Sequence, residues 1–395
     1  MPNPAPPAAA IAVVLAKSTQ VTRRLEIYEY NGTTLWSAIG DDSRVISGNI
    51  SIDANRDERR TLDCLLDNSD GLLRHQPEHG LWWDKIIKVW RGVKYWGIDP
   101  ITNLPELYTY EAQLGEFLID SIDAESFPNA IKVTARDLTK KMINSKLTQS
   151  MQFAAGTKVE TVIAALASNS GITKFILPIT GKNVDKTTVF ERNTDRWKVC
   201  KELAVAAGHD LFFDPTGYLI LRPFRDPSTA AIEYTFQTGV AGGNLIKFSK
   251  SSNDSKVFNH IVITGDQTTN ATTGVAGLVF VEAKNTAVSS PTRIARIGDR
   301  TFFYSSPFFT SNAQAQPVAN SWLKLKALEE FNLNFSSLVV PWLDVGGIVK
   351  ILDPNRTAYE PTRFLLDSLA IPLALEPMSG LGKRITIVGD TGATI

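Results

Sequence analysis

The chain has 395 residues, of which 43% are hydrophobic and 21% are charged, as in an ordinary globular protein. This length exceeds what one hydrophobic core usually supports, so we expect two or three domains. Lys plus Arg and Asp plus Glu both number 41, and a formal net charge of zero gives no general attraction to nucleic acid or anionic membranes. We therefore expect no specific nucleic-acid partner and, since no long apolar run occurs, no membrane partner.

The cysteines and the N-terminal segment carry little functional signal. Cys64 and Cys200 lie far apart without Cys-x-x-Cys spacing, so neither a disulfide framework nor a zinc site is expected, and a reducing cytoplasm suits folding. The apolar stretch from Ala8 to Ala16 lacks the preceding basic residue of a signal peptide. We expect residues 1–20 to form a short helix or an arm.

Residues 20–140 alternate polar and apolar positions, as β-strands do. Asn31-Gly32 is a strong turn dipeptide and predicts a hairpin. A second predicted hairpin, Gly48–Leu66, has a charged tip at Asn55–Arg60. Further strands are expected at Lys85–Arg91, Leu107–Leu114, Gly115–Ile122 and Ala130–Asp137. The segment predicts an antiparallel β domain.

Residues 141–230 change to helical spacing of the apolar positions, which predicts a small α+β insert. The expected elements are a helix through Val159, Val162, Ile163 and Leu166 that stops at Gly171, a second helix that runs through Trp197, Cys200 and Leu203 from a cap at Asn193 or Thr194 to Gly208, and a hairpin that turns at Asp214–Gly217.

In residues 240–395 the β alternation resumes. A strand that begins near Val257 is expected to close at Gly265-Asp266. Ser311 to Gln314 matches a capping box and predicts one helix, whose start Pro317 should kink or displace.

A weak internal repeat relates the two β regions, with the order of the blocks preserved. The matched blocks are Trp83–Val89 with Leu343–Val349, Glu116–Ser121 with Arg363–Ser368, and Ala130–Val133 with Arg384–Ile387. The alternative is that two unrelated antiparallel domains share short apolar strings. From the repeat we predict a mainly β chain in which two related antiparallel β-barrel domains, 20–140 and 240–395, flank the α+β insert.

Several motifs, in this order, resemble the tail hub family shared by long-tailed phages, contractile baseplates and type six secretion systems, and in particular minor tail proteins of phages that infect actinobacteria. The motifs are the Gly48–Leu66 hairpin with its Arg-Asp-Glu-Arg-Arg tip, Lys88–Gly92, Thr194–Trp197, Ala207-Gly208, Asp214–Gly217, and the strand Val257–Gly265 with Asn259 inside it.

The resemblance implies a structural hub of the virion tail tip, made in the host bacterial cytoplasm. Three copies of two related barrels would give a pseudo-sixfold homotrimeric ring that adapts a hexameric tail tube to threefold tip proteins. The implied partners are further copies of the chain, a distal tail protein or tube ring, the tape measure protein, and distal tip or central fibre proteins.

Catalytic and metal-binding patterns are weak throughout, and we predict no enzyme, no catalytic residue, no cofactor and no metal site. His75 and His79 are separated by Pro77, which disfavours a helical metal pair. His209 is expected to contact the end of the preceding helix, and His260 to be structural. Gly380–Arg384 lacks the Walker spacing and predicts a turn. The alternative function is a carbohydrate-binding or cell-wall-degrading tail protein that uses the tryptophans of the first barrel.

The charged hairpin tip is the one candidate contact between proteins. It contains Arg56, Arg59 and Arg60, although a run of polar residues at a strand junction is also the ordinary composition of a solvated turn. Under the contact hypothesis, reversal of the three arginines to Glu blocks tail assembly and leaves the monomer folded.

Overall fold

The computed structural model describes residues 5–15, 20–39, 44–77, 80–125, 129–238, 243–251, 256–269, 276–327, 332–352 and 362–385. It confirms a mainly β fold with a small helical insert. The helices are α1 (Ala8–Leu15), α2 (Thr139–Asn144), α3 (Val159–Ser168), α4 (Arg196–Ala206), α5 (Ile294–Ile297) and α6 (Asn312–Lys326).

Most strands belong to one sheet of 13 strands. Its first set comprises β1 (Gln20–Tyr28), β2 (Leu35–Ile39), β3 (Val45–Asp53), β4 (Arg60–Asp67), β5 (Ile86–Ile98), β6 (Pro105–Glu125) and β7 (Ala130–Asp137). The insert strands are β8 (Met151–Phe153), β9 (Phe175–Ile176), β10 (Thr188–Phe190), β11 (His209–Phe213) and β12 (Leu219–Pro223). The second set of the main sheet comprises β13 (Ile232–Gln237), β14 (Leu245–Ser251), β18 (Asn332–Ser337), β19 (Ile348–Leu352), β20 (Thr362–Pro372) and β21 (Met378–Arg384). A separate three-stranded sheet comprises β15 (His260–Thr269), β16 (Ala276–Lys284) and β17 (Thr301–Ser305).

The two sets of strands meet edge to edge and share one core. The first set runs in the order β2-β1-β5-β6-β7-β4-β3, and β3 pairs with β20 of the second set, where Ile50 lies opposite Ile371. A single cluster of buried apolar residues draws Phe117 from the first set together with Phe236 from the second. Helix α1 adds Ala10 and Val14 to this cluster. The burial of this continuous apolar surface stabilises both sets as a unit.

The register of the strands supports the internal repeat. In β6 against β7, and in β20 against β21, one residue of the longer strand is left unpaired in a β-bulge. These residues are Asp120 and Asp367, which occupy the same place in the repeat. Asp120 pairs with Arg136 at 2.7 Å, and Asp367 pairs with Lys383 at 3.1 Å. The second set runs in the order β13-β19-β20-β21-β18-β14, which matches β1-β5-β6-β7-β4-β3 of the first set, although β13 is parallel to β19 and β1 is antiparallel to β5. The two halves thus share this strand order, the bulge and an equivalent ion pair.

The observed register corrects two of the three sequence matches. Glu116–Ser121 and Arg363–Ser368 are equivalent, as predicted. Ile86, however, is equivalent to Ile348 and not to Gly346. Ile86 pairs with Leu118 and Ile348 pairs with Leu365, and these two leucines are equivalent in the repeat. The third match is displaced by more residues, because the equivalents of Leu381–Arg384 are Thr134–Asp137 and not a segment that begins at Ala130. Short apolar strings resemble one another at several offsets and do not by themselves fix strand register.

Two predicted strand ends are bulges within continuous strands. A break was expected at Gly115, but β6 continues through it, and the pairing with β5 shifts by one residue there. A Cβ at Gly115 would lie 2.3 Å from the ring of Phe117, so the glycine makes room for that buried side chain. Gly265-Asp266 likewise interrupts the register of β15 with β16 and does not end the strand. A bulge keeps the sheet hydrogen-bonded while bending it.

The insert packs its helices onto its own hairpin. Helix α3 ends before Gly171, whose φ of 84° suits a residue without a Cβ, as predicted. The cap of α4 is Asp195, one residue beyond the predicted positions, and its carboxylate accepts a hydrogen bond from the Lys198 backbone N–H at 3.0 Å. Trp197 is 2% exposed and stacks on Phe213 of β11 with ring centroids 6.3 Å apart. The β11–β12 hairpin turns at Asp214–Gly217, as predicted.

The strands β15, β16 and β17 form the separate sheet, and α6 covers one of its faces. Ile261, Ile263 and Val281 of the sheet are buried against Val318 of the helix. Ser311 is the N-cap of α6, as predicted, and its hydroxyl accepts a hydrogen bond from the backbone N–H of Gln314 at 3.3 Å. The capping box is incomplete, because the Gln314 side chain accepts its hydrogen bond from the backbone N–H of Thr310 and not from that of Ser311. Pro317 lies inside the helix and does not displace its start. The domain boundaries at about 140, 230 and 240 stay predictions.

Both thiols should resist modification in the native protein. Cys64 and Cys200 are fully buried, and burial raises the pKa of Cys64 to about 12 and that of Cys200 well above its ordinary value. The reactive thiolate is therefore scarce at pH 8, and reagent has no access to it. We expect no reaction with an aromatic disulfide reagent in buffer and two thiols per chain in denaturant. Rapid labelling of the native chain would contradict this packing.

Candidate interaction surfaces

The hairpin tip Asn55–Arg60 is only partly exposed. The side chain of Arg56 is 66% exposed, and its Nε lies 3.4 Å from the Asp53 carboxylate. The side chains of Arg59 and Arg60 are 3% and 0% exposed. The structure therefore does not bring the three predicted contact residues to one surface, and of the three, Arg56 alone faces solvent. A contact between proteins at Arg56 stays a prediction.

Arg60 joins three parts of the chain. Its Nη1 donates a hydrogen bond to the carbonyl oxygen of Phe213 in the insert at 2.6 Å, and its Nη2 pairs with the carboxylate of Asp344, just before β19. The backbone N–H of Arg60 donates to Asp137 Oδ2 at 3.0 Å. A fully buried guanidinium is tolerated because it has charged and hydrogen-bonded partners. This side chain therefore fixes the insert against both sets of strands.

Arg59 makes a second connection to the insert. Its Nη2 donates to Asp210 Oδ2 at 2.7 Å, and its guanidinium lies 3.8 Å from the ring centroid of Phe212. Lys201 also binds Asp210, at 2.9 Å. Burial acts to raise the pKa of Asp210, but Lys201 and Arg59 outweigh it and hold the pKa below its ordinary value. One carboxylate thus serves two cations at this junction.

The β5–β6 hairpin extends beyond the sheet as a two-stranded arm, residues 95–108. Among the described strands, β1 pairs with β5 only as far as Lys94, and beyond it β5 pairs only with β6. One face of the arm is apolar and uncovered, with Trp96 67% exposed and Ile101 at its tip 90% exposed. The other exposed apolar residues of the arm are Ile98, Leu104 and Leu107. Because an isolated two-stranded ribbon is marginally stable in water, this exposed face is a candidate contact surface.

The separate sheet offers a second apolar surface. Its face opposite α6 exposes Leu278 and Phe280 on β16 and Phe303 on β17. These side chains lie on the outer positions of strands whose alternate residues form the core with α6. The described residues thus include two separate exposed apolar surfaces, one on the arm and one on the separate sheet.

The described histidines have structural surroundings. His209 Nδ1 lies 2.8 Å from the carbonyl oxygen of Ala207 at the end of α4, in agreement with the predicted helix-end contact. His260 is buried beside the carboxylates of Asp299, at 3.0 Å, and Glu282, at 3.3 Å. His79 lies outside the described residues. Within the part of the chain that the structure describes, no group of three or more His, Cys, Asp or Glu side chains could hold a metal ion.

The predicted turn at Gly380–Arg384 is wrong, because these residues lie within β21. A Cβ at Gly380 would come 2.5 Å from the ring of Phe335 on the neighbouring strand. The glycine thus leaves space for a core side chain. In the described ranges, no helix combines the length and the apolar character needed to cross a bilayer.

An aromatic cluster lies in the connection between β4 and β5. The rings of Trp82 and Trp83 are 4.4 Å apart, and His75 lies 5.2 Å from Trp82. Trp83 is exposed. An exposed aromatic ring of this kind can stack on the apolar face of a sugar.

Comparisons with known proteins detect structural likeness and no sequence relative: no family model and no curated protein matches the chain. A tail protein from Neisseria meningitidis MC58 has a TM-score of 0.58 at 12% identity, over 92% of this chain and 96% of that one. The prophage MuSo2 43 kDa tail protein from Shewanella oneidensis has a TM-score of 0.58 at 10% identity, over 91% and 98%. Prophage tail protein gp18 from Listeria monocytogenes EGD-e has a TM-score of 0.52 at 11% identity, over 92% and 95%. The closer resemblance to actinobacterial phages stays a prediction. Over nearly its whole length, this chain has the fold of phage tail proteins.

Proposed function

We propose that this chain is a structural tail hub, a subunit of a phage tail tip that works through its surfaces and not as an enzyme. The observation that carries the proposal is the duplication inside a phage tail fold: two sets of strands with the same order, bulge and ion pair at Asp120 and Asp367. A subunit with two similar halves presents two nearly equivalent surfaces to its neighbours.

In a closed homotrimeric ring these halves form six pseudo-equivalent positions. Closed rings use heterologous contacts that repeat by rotation, and three copies of two related halves match a sixfold tube on one side. The halves differ in the length of their equivalent strands, since β5 and β6 have 13 and 21 residues and form the arm, whereas β19 and β20 have 5 and 11. This difference leaves the other side threefold, so the ring adapts the tail tube and its distal tail protein to the tape measure protein and the tip or fibre proteins.

The position of the chain in the particle tests this function. Gold-labelled antibodies against the chain should bind purified virions at the tail tip, and a phage that lacks the gene should make no complete tails. Complete tails in the absence of the chain would contradict a hub function.

Arg56 tests whether the hairpin tip contacts a neighbouring tail protein. Arg59 and Arg60 are part of the folded core, so the reversal of all three arginines would damage the fold, and the test is restricted to Arg56. We expect Arg56→Glu to block tail assembly and to change the free energy of unfolding by no more than about 0.5 kcal/mol. Arg296→Glu, at another exposed arginine, is the control. Normal tails from the Arg56 variant would refute the contact.

The arm tests the contact between copies. In a heterologous ring an apolar projection of one copy meets a different surface of the next, and the arm has such an uncovered face. We expect Trp96→Ser with Ile101→Ser to weaken the contact between copies by roughly 100-fold or more, because aromatic and aliphatic anchors dominate interface energies. Native mass measurement should then detect monomer, and the circular dichroism spectrum should remain that of the folded wild type. The exposed Val288→Ser variant should remain trimeric, and a trimer of the arm variant would exclude this surface.

The carbohydrate-binding alternative is favoured by the Trp82 and Trp83 cluster. Glycan-array binding that is lost in Trp83→Ala, or hydrolysis of cell wall by the purified chain, would support it over a purely structural function.

A further inference from the structure

A cavity of about 220 Å³ lies where the hairpin tip, the insert and the second set of strands meet. Arg59 reaches it from the tip, Arg222 from β12, and Lys383 from β21. Arg225 also lines the cavity, whereas the lining carboxylates are Asp210 and Asp367. The lining of this junction cavity therefore carries more positive than negative charge.

Each carboxylate near the junction cavity already has a cation. Asp210 binds Arg59 at 2.7 Å and Lys201 at 2.9 Å, and Asp367 binds Lys383 at 3.1 Å. Arg225 lies 3.4 Å from Glu233. The surplus positive charge is therefore not neutralised by the acidic residues around it.

The surplus is centred on Arg222. Among the described residues, its guanidinium has no hydrogen-bond acceptor and no ion pair with a carboxylate, and it lies 4.7 Å from the ring centroid of Phe212. Burial, Arg59 and Arg225 lower the pKa of Arg222, and they outweigh Asp210 and Asp344, which act in the opposite direction. A half-buried cation without a partner is costly, unless an anion from solution completes it.

Arg59 lines the same cavity. Its side chain is 3% exposed, and its Nε and Nη1 are buried without an acceptor in the described part of the chain. Gly346 also lines the junction cavity, with a φ of 80°, and a Cβ there would lie 3.0 Å from Arg222 Nη2. The glycine thus leaves space beside the guanidinium. Two forked guanidinium groups around a small cavity are suited to an oxyanion, which accepts several N–H donors at once.

We propose that the junction cavity binds a small phosphate-type dianion from solution, held by Arg222 and Arg59. The bound anion would connect the hairpin tip, the insert and the second set of strands, and so stabilise their arrangement. This inference is independent of the proposed hub function.

Titration calorimetry with inorganic phosphate tests the proposal, at constant ionic strength maintained with chloride. We expect saturable binding of one phosphate per chain, weaker by roughly tenfold or more in Arg222→Gln, because a hydrogen bond to a charged donor is lost. Arg222→Lys keeps the positive charge but lacks the planar guanidinium with its paired N–H donors, and it should bind phosphate with intermediate affinity. Arg296→Gln, at an exposed arginine, should bind like the wild type.

The unliganded variant gives a second readout. Without phosphate, Arg222→Gln should melt at the same temperature as the wild type or higher, because an uncompensated charge has been removed; with phosphate, only the wild type should gain stability. Absence of saturable binding in the wild type, or equal affinity in Arg222→Gln, would overturn the site. Acetate that binds as tightly as phosphate would overturn the dianion assignment.

Discussion

Arg60→Ala should lower the free energy of unfolding by about 3 to 5 kcal/mol, the range for removal of one partner from a buried ion pair. The substitution leaves Asp344 without its cation, leaves the Phe213 carbonyl oxygen without a donor, and opens a cavity in place of a fully buried side chain. Asp344 is partly exposed, and water compensates some of its loss, so the lower part of the range is expected.

The control for Arg60 lies in the same turn. Arg56→Ala removes an arginine that is mostly exposed and should change the free energy of unfolding by less than about 0.5 kcal/mol. Urea unfolding followed by tryptophan fluorescence measures both variants. Equal small effects in the two variants would mean that Arg60 does not hold the insert against the strands.

Trp197→Ala should destabilise the chain by about 3 to 5 kcal/mol, because a large side chain leaves a cavity that the surroundings fill only partly. Trp197 is buried in the insert core beside Phe213 and Leu203. Trp83→Ala, at an exposed tryptophan outside the arm, is the matched control and should change the melting temperature far less. An unchanged melting temperature in Trp197→Ala would refute the packing of α4.

The sequence predicts those elements whose signals are local. The cap of α6 at Ser311 and the turn at Asp214–Gly217 follow from side chains that satisfy nearby backbone groups, and the end of helix α3 follows from the positive φ that Gly171 adopts. The sequence pattern predicts a strand end at Gly115 and a turn at Gly380. In the structure, Gly115 leaves space for the ring of Phe117 in the same strand, and Gly380 leaves space for the ring of Phe335 in the neighbouring strand. A glycine within an alternating β pattern is compatible with a turn, with a bulge and with a position that packs against an aromatic ring, and the pattern does not distinguish them.

The surroundings of the hairpin tip could not be derived from the sequence. Arg59 binds a carboxylate 151 residues away, and Arg60 binds one 284 residues away. A polar run in a turn looks solvated unless the rest of the chain is known to cover it. The junction cavity with Arg222 is of the same kind, since its lining comes from three separate regions of the chain.

Cryo-electron microscopy of the intact tail tip tests the hub function most directly. We expect three copies of the chain in a ring around a central channel, with the first and second sets of strands alternating at one radius and the insert projecting to one side. Six copies of the chain in the ring, or sets of strands at two different radii, would contradict it.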